Sequence, residues 1–543
     1  MEAIPATSCL PGAEPSTATA PEIRTASRTG ETTPTFFAGI VFPRSLAACC
    51  VLLFAVNLLV RIALAAIFPL LGKELYFWEW AQFPAAGYVD YPPLVAWCIR
   101  GGCVLFGNWS PWAIRAIPLI CGSLWPFLAR SLALRLFKDV RVANWAFLLS
   151  LCLPYANAVG VVLLPDSLLL CFQLAFIERL ATACREGHRR DWFLAGGALG
   201  LSLLCRLTAL LALGASIGWL LTTPRGRRWL RRPEPHVALG VAFLICLPTL
   251  VWNARHDWAN FNLPVWQEGR LEIRWAQPFE FLFEQLAHTS VFLWLPLVVA
   301  LGYPLSRVGR EWRDGIRFLR WQVFVPLAML CVVSTVSETH PDSTLLVWVP
   351  AVLVLAALRE AASQSFAARR LERWIAWSAG TLVFLAVASL PFLQGILNVD
   401  PAAFGVQAHK VAKAQQMLIG WKGLEQELRQ RCAASGENPL QLCTDAPELA
   451  SQLTFQRRGE LVLNLAPLFE PDEWKGSAQR FYADYRVLAS KPALVLATGE
   501  WTEYRLAEVF EHVEEVEPIV VRIAGQEVAR YRLFRVEGAG FRL

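Results

Sequence analysis

SLAACCVLLFAVNLLVRIALAAIFPL, Ser45–Leu70, is the stretch that decides the fold class of this chain. It is apolar along almost its whole length and exceeds the roughly 20 residues needed to cross a ~30 Å hydrocarbon core. It is too long for the apolar core of a signal peptide, so it predicts a helix that stays in the membrane. Comparable blocks recur at Pro111–Leu136, Arg141–Asn157, Val161–Ala183, Trp192–Leu204 and Thr208–Leu221. They continue at Val237–Trp252, Phe281–Tyr303, Trp321–Val336, Thr344–Leu358 and Trp374–Leu397, which makes about eleven predicted spans. Leu94–Phe106 is also apolar, but it follows Pro92-Pro93 and contains Arg100, Gly101 and Gly102, so it reads as an interfacial helix.

Composition agrees. Of the 543 residues, 55% are hydrophobic and 17% are charged, where a soluble chain carries about a quarter charged. The mean hydropathy is +0.41. The net charge of +6 is modest, and its arginines cluster in short loops. That pattern suits membrane orientation and speaks against a nucleic-acid partner. One set of alternating loops holds Arg135, Lys138 and Arg141, then Arg185, Arg189 and Arg190, then Arg225 to Arg232. It continues with Arg307 to Arg320, then Arg369, Arg370 and Arg373, and these loops are predicted to be cytoplasmic.

Three regions follow. Residues 1–44, rich in Ala, Thr, Pro and Ser, read as a disordered cytoplasmic tail. Residues 45–397 form the transmembrane domain. Residues 398–543 mix charge with a helical stretch (Ala408–Arg431) and alternating runs (Glu460–Leu465, Pro492–Ala497, Ile519–Ile523, Val528–Phe534). They predict a small extracytoplasmic α/β domain. The expected fold class is thus an α-helical polytopic membrane protein with a C-terminal α/β domain. Cys432 and Cys443 both fall in that outer domain, where a disulfide or two free thiols are the alternatives.

The outward loops carry the unusual residues. The first holds Lys73, Glu74, Tyr76, Tyr88, Asp90 and Tyr91. Aromatics at a membrane surface form interfacial belts. A carboxylate among them is also placed to deprotonate a hydroxyl or to hold a metal ion. Asp166 opens a span, where an acid complements the helix dipole or serves chemistry. Arg206 interrupts an apolar run, and its natural partner there is an anion such as a lipid phosphate. Asn253, His256, Asp257 and Trp258 sit in a fourth loop and His340 in a fifth. Together these loops suggest one polar site open to a lipid headgroup.

In these motifs the chain resembles the bacterial family related to protein O-mannosyltransferases and lipid A aminoarabinose transferases. Asp-Glu-Ala-Tyr-Tyr-Trp of that family corresponds to Lys73–Trp78, and Phe-Asp-His-Pro-Pro-Leu to Val89–Leu94. Thr-Pro-Asp corresponds to Leu164-Pro165-Asp166, and Ser-Lys-Tyr-Thr-Ala to Cys205–Ala209 with Arg206 for Lys. Trp-Asn-Ala-Gln-His-Asp-Trp corresponds to Trp252–Trp258, changed only at Arg255, and His-Trp-Pro to His340-Pro341. Gly420-Trp421 also fits.

The resemblance implies the C-type glycosyltransferase fold. It implies inverting transfer of a hexosyl or pentosyl group from a polyprenyl-phosphate carrier to a glycolipid, glycan or protein, in the inner membrane. Glu74, Asp166 and Asp90 would be catalytic. Arg206, Lys73, His256 and His340 would hold the donor phosphate. Tyr76, Tyr88, Tyr91, Asn253, Asp257 and Trp258 would line the substrate. No cofactor is required, and a divalent metal ion is left open. One departure stands out: Lys73 occupies the position of the family's first-loop Asp. A carrier-lipid transporter or flippase, or a non-catalytic family member, is the alternative.

Overall fold

The computed structural model describes residues 46–89, 91–258, 273–336, 344–361, 421–434, 440–469, 479, 483–498, 502–523 and 526–540, with two dipeptide strands nearer the N-terminus. The chain divides into Met1–Cys49 and Cys50–Leu543. In the first unit Phe36–Phe37 pairs antiparallel with Ile40–Val41. The rest of the expected tail, and the expected span Trp374–Leu397, lie outside the described residues.

Five described helices are long and apolar enough to cross a membrane. They are Leu46–Ile67, Trp112–Phe137, Pro165–Glu186, Pro233–Arg255 and Arg310–Ser334. Helices at Val140–Leu151, Arg189–Cys205, Ala209–Thr222 and Leu345–Ala361 answer to other predicted spans but are shorter. Lipid is the solvent these helices are built for. Val51, Leu59, Leu124, Phe243, Leu244 and Val332 are all exposed, a surface that water would not tolerate. Leu345–Ala361 is the opposite case. Leu345 through Ala357 are all buried, so this helix is apolar on every side and runs through the middle of the bundle.

Two predicted spans are corrected. Phe281–Tyr303 is two helices, Gln277–Thr289 and Val291–Gly302, broken at Ser290 with φ 71°. Glu280, Glu284 and His288 make the first of them amphipathic, and an amphipathic helix does not continue as a span. Arg141–Asn157 stops at Leu151, because Pro154 has no N–H to extend the ladder and opens a short separate helix. Leu94–Phe106 is a helix of 13 residues that ends at Gly107, whose φ of 87° favours glycine.

The C-terminal region is α/β, as expected. Its sheet runs Leu463–Asn464, Gln441–Thr444, Ala493–Ala497, Gln526–Ala539, Phe510–Ile523. The first three strands are parallel and the last two antiparallel. Alternation assigns each face a core. Leu442, Leu494 and Leu496 face the Trp421–Ala434 helix through Leu424 and Leu428, while Cys443 and Val495 face Tyr485 and Leu488. Cys443 is a free, buried thiol. The side chain of Cys432 lies outside the described residues.

Close helix packing rests on glycine. A Cβ at Gly196 would sit 2.2 Å from the carbonyl oxygen of Ala238, whereas one at Gly197 would meet nothing within 4 Å. Gly196→Ala should therefore destabilise the protein by about 1–3 kcal/mol. Gly197→Ala should be neutral or gain up to about 1 kcal/mol. Melting curves of the two purified variants check this, and equal shifts would contradict it.

Candidate functional site

The first outward segment is the helix Gly72–Gln82. Glu74 lies in its first turn and is fully buried. Its carboxylate accepts Arg115 Nε at 2.7 Å and Arg115 Nη2 at 2.6 Å. It also accepts the backbone N–H of Leu71 at 2.9 Å and that of Leu163 at 3.0 Å. Arg115 in turn donates to the carbonyl of Pro69 at 2.9 Å. This ion pair ties the first loop, the second loop and the span Trp112–Phe137 together. A general base must reach the proton it takes. Glu74 has no exposed surface, and its oxygens are already committed to this clamp. Lys73, one residue earlier, is exposed.

Glu79, on the same helix, faces the C-terminal domain. It is buried and accepts hydrogen bonds from Ser451 Oγ and from Gln479 Nε2, the latter at 2.7 Å. Trp78 packs edge-on against Phe455 at 5.0 Å between centroids. The outer domain therefore docks on the helix that holds the clamp. Neither Arg115 nor Glu79 was singled out from the sequence. Arg115 had a signal, a cation just inside an apolar block. Glu79 had none, because its partners lie 372 and 400 residues away.

The expected aromatics form packing rather than an open platform. Tyr88 stacks on Trp80 at 4.6 Å and 9°, and its hydroxyl donates toward the carbonyls of Trp80 and Phe83. Burial pushes its phenol up to about 12. Tyr76 meets Trp80 at 4.9 Å, and Tyr91 meets Phe77 at 5.5 Å.

Asp166 and Arg206, placed apart in the expected list, meet. Arg206 Nη1 lies 2.8 Å from Asp166 Oδ1 and 3.0 Å from Oδ2. Arg206 is extended (φ −161°, ψ 139°) where the helix Arg189–Cys205 ends, and this turns its side chain toward the start of Pro165–Glu186. The guanidinium lies 6.0 Å from the Tyr91 ring centroid. A lone buried cation at Arg206 is therefore not what the fold presents; the cation is paired.

In the fourth loop Asn253 is buried and donates to the carbonyl of Thr249, and His256 stacks on Trp252 at 4.1 Å with Nδ1 2.7 Å from the Trp252 carbonyl oxygen. Asp257 (φ 52°) and Trp258 (φ 55°) both adopt the left-handed backbone that ordinary residues avoid. Thr249 Oγ1 donates to the carbonyl of Ala86, so this loop rests on the first. Asp90 and His340 lie outside the described residues. Among the described residues no three His, Cys, Asp or Glu side chains gather to hold a metal ion.

An apolar groove of about 230 Å³ is lined by Leu204 and Leu207, near Arg206 in the chain. Leu203, Leu207, Leu239, Phe243, Pro92 and Asn253 are among its lining residues.

Residues 90–252 match the family described as dolichyl-phosphate-mannose-protein mannosyltransferase. ArnT from Cupriavidus metallidurans, solved with undecaprenyl phosphate, superposes with a TM-score of 0.60 over 89% of this chain and 97% of that one, at 17% identity. The apo form of that protein gives 0.57 over 90% and 98%, at 16% identity. The chain shares the fold of these ArnT structures. A lipid A galacturonosyltransferase, RgtD of Rhizobium johnstonii, is 25% identical over 283 residues. That match covers 50% of this chain, which spans only 56% of the relative's length.

The clamp makes a sharp test. Glu74→Gln leaves Arg115 buried without its counter-charge and should cost about 3–5 kcal/mol. The double variant Glu74→Gln/Arg115→Gln should recover much of that loss, as measured by melting in detergent; strict additivity of the two single losses would argue against the pair. Glu79→Ala should raise hydrogen exchange in the helix Pro447–Gln456 while leaving the spans protected. Unchanged exchange there would show that the docking does not depend on Glu79.

Proposed function

We propose that this protein is a membrane glycosyltransferase that moves a sugar from a polyprenyl-phosphate carrier to an extracytoplasmic acceptor. The observation that carries the reading is the Asp166–Arg206 ion pair, whose chain neighbours Leu204 and Leu207 line an apolar groove. A polyprenyl chain in the groove would bring its phosphate to Arg206. The fold shared with ArnT supports the same reading. The relative that acts on lipid A favours a glycolipid acceptor, and the hexosyl or pentosyl identity of the sugar belongs to the same proposal.

The chemistry is a displacement. The acceptor hydroxyl oxygen forms a bond to the anomeric carbon as the bond from that carbon to the phosphate oxygen breaks. The polyprenyl phosphate leaves with the electron pair, and Arg206 stabilises its charge. The hydroxyl proton passes to a carboxylate. We assign that role to Asp166, with Asp90 as its alternative, and give Glu74 the clamp. A phosphate arriving at Arg206 competes with Asp166 for the guanidinium and so releases Asp166 to accept the proton. His256 and His340 remain candidates for the phosphate, and Asn253, Asp257 and Trp258 for the substrate loop. Lys73, exposed on the helix carrying the clamp, is a further candidate for the donor.

The arginine-rich loops support a topology with the opposite helix ends in the cytoplasm and the clamp, the pair and the α/β domain outside the inner membrane.

Transfer of labelled sugar from polyprenyl-phosphate sugar in proteoliposomes tests the proposal. Asp166→Asn should lower kcat about a hundred- to ten-thousand-fold, with the donor still bound. Arg206→Ala leaves Asp166 buried and uncompensated, so it should lower stability as well as donor use; Arg206→Lys keeps a charge and separates the two effects. Full transfer by Asp166→Asn would remove it as the base, and carrier movement without sugar transfer by the unmodified protein would favour the transporter reading.

A further inference from the structure

The opposite, arginine-rich ends of the helices enclose a second cavity of about 90 Å³. Its lining combines apolar side chains, Leu136, Trp219 and Phe318, with cationic ones, Arg185, Arg225 and Arg317. Trp219 and Phe318 meet edge-on at 5.0 Å. The helices Trp112–Phe137, Pro165–Glu186 and Ala209–Thr222 end here, and Arg310–Ser334 begins here.

Arginines at this end of a membrane protein are ordinarily solvated orientation signals. Three observations set these apart. Arg185 Nη1 is held by the carbonyls of Arg135 and Leu136, so the guanidinium is fixed and only partly exposed. Arg225 sits on a rigid turn: Thr223 Oγ1 accepts the N–H of Gly226, and a Cβ at Gly226 would lie 2.4 Å from the Leu220 backbone. Asp314 is the one carboxylate lining the cavity, and it reaches Arg317 only at 4.0 Å with both side chains largely in solvent. Among the described residues no carboxylate pairs with Arg185 or Arg225. Two cations, one fixed by backbone carbonyls and one carried on a fixed turn, thus meet at this cavity with Asp314 as the one carboxylate among its lining residues.

We infer that this cavity binds the phosphate of an anionic phospholipid headgroup. The guanidinium groups match phosphate oxygens, and basic pockets between helix ends are suited to such lipids. The cavity has room for more than a water, since a single water needs only about 10–15 Å³. The apolar lining accepts the glycerol and first methylenes, which a free phosphate ion could not use.

The test uses the full chain in nanodiscs of phosphatidylcholine with or without phosphatidylglycerol, and native mass spectrometry to count retained lipid. The double variant Arg225→Gln/Arg317→Gln removes two exposed cations and leaves Arg185 in its structural bonds. Melting in phosphatidylcholine alone should match the unmodified protein, which establishes that the variant folds. Retained phosphatidylglycerol should fall about tenfold or more in the variant, at roughly a factor of five per arginine. A titration with inorganic phosphate should not raise the melting temperature. Equal phosphatidylglycerol retention by both proteins would overturn the site. Stabilisation by inorganic phosphate with no preference for phosphatidylglycerol would overturn the lipid assignment. If the double variant melts early, Arg225→Gln alone, read by the same retention, decides the question.

Discussion

The buried pair of Glu74 and Arg115 is the constraint on which the outward face depends. Two charges taken out of water are costly, and their attraction repays the cost only when the remaining hydrogen-bonding capacity is also met. Here much of it is met by backbone: Leu71 and Leu163 donate to the carboxylate, and Pro69 accepts from the guanidinium. The pair therefore fixes main chain as well as side chains. It sets where the first helix leaves the membrane, where the second loop turns before Asp166, and how Trp112–Phe137 stands between them. The docking of the outer domain follows, since Glu79 and Trp78 project from the helix so fixed.

This arrangement changes how the Lys73 substitution is read. A lysine in place of an acid seems to threaten a site that needs negative charge. But Lys73 is exposed while Glu74 is buried and neutralised within the protein. The clamp does not depend on the residue at 73. In the proposed reaction proton transfer rests with Asp166, with Asp90 as its alternative, and needs no carboxylate at position 73.

Much of the fold was legible because the membrane imposes simple rules on sequence. Long apolar blocks, their order and the change of character after the last one follow from the cost of placing polar backbone in lipid. The errors came where a block was apolar on average but not on every face. Gln277–Thr289 carries Glu284, Gln285 and His288 within a run that hydropathy alone joins to Val291–Gly302. Site residues were legible where they broke a pattern, as Arg206 does in its leucine run. Their partners were not. That Arg206 would meet Asp166, 40 residues earlier, and that Glu74 would be spent on Arg115, are consequences of helix packing that no local spacing encodes.

The two buried ion pairs differ in a way that separates structure from chemistry. Arg115 engages Glu74 through two nitrogens, and its side chain is 1% exposed. Arg206 Nη1 meets both oxygens of Asp166, and its side chain is 12% exposed. The Arg115 guanidinium, held through two nitrogens and by a carbonyl, is committed. Any ligand that breaks the first pair would also have to expel backbone donors. The rigidity of the outward face therefore lies with Glu74 and Arg115, and of the two cations Arg206 is the one nearer solvent.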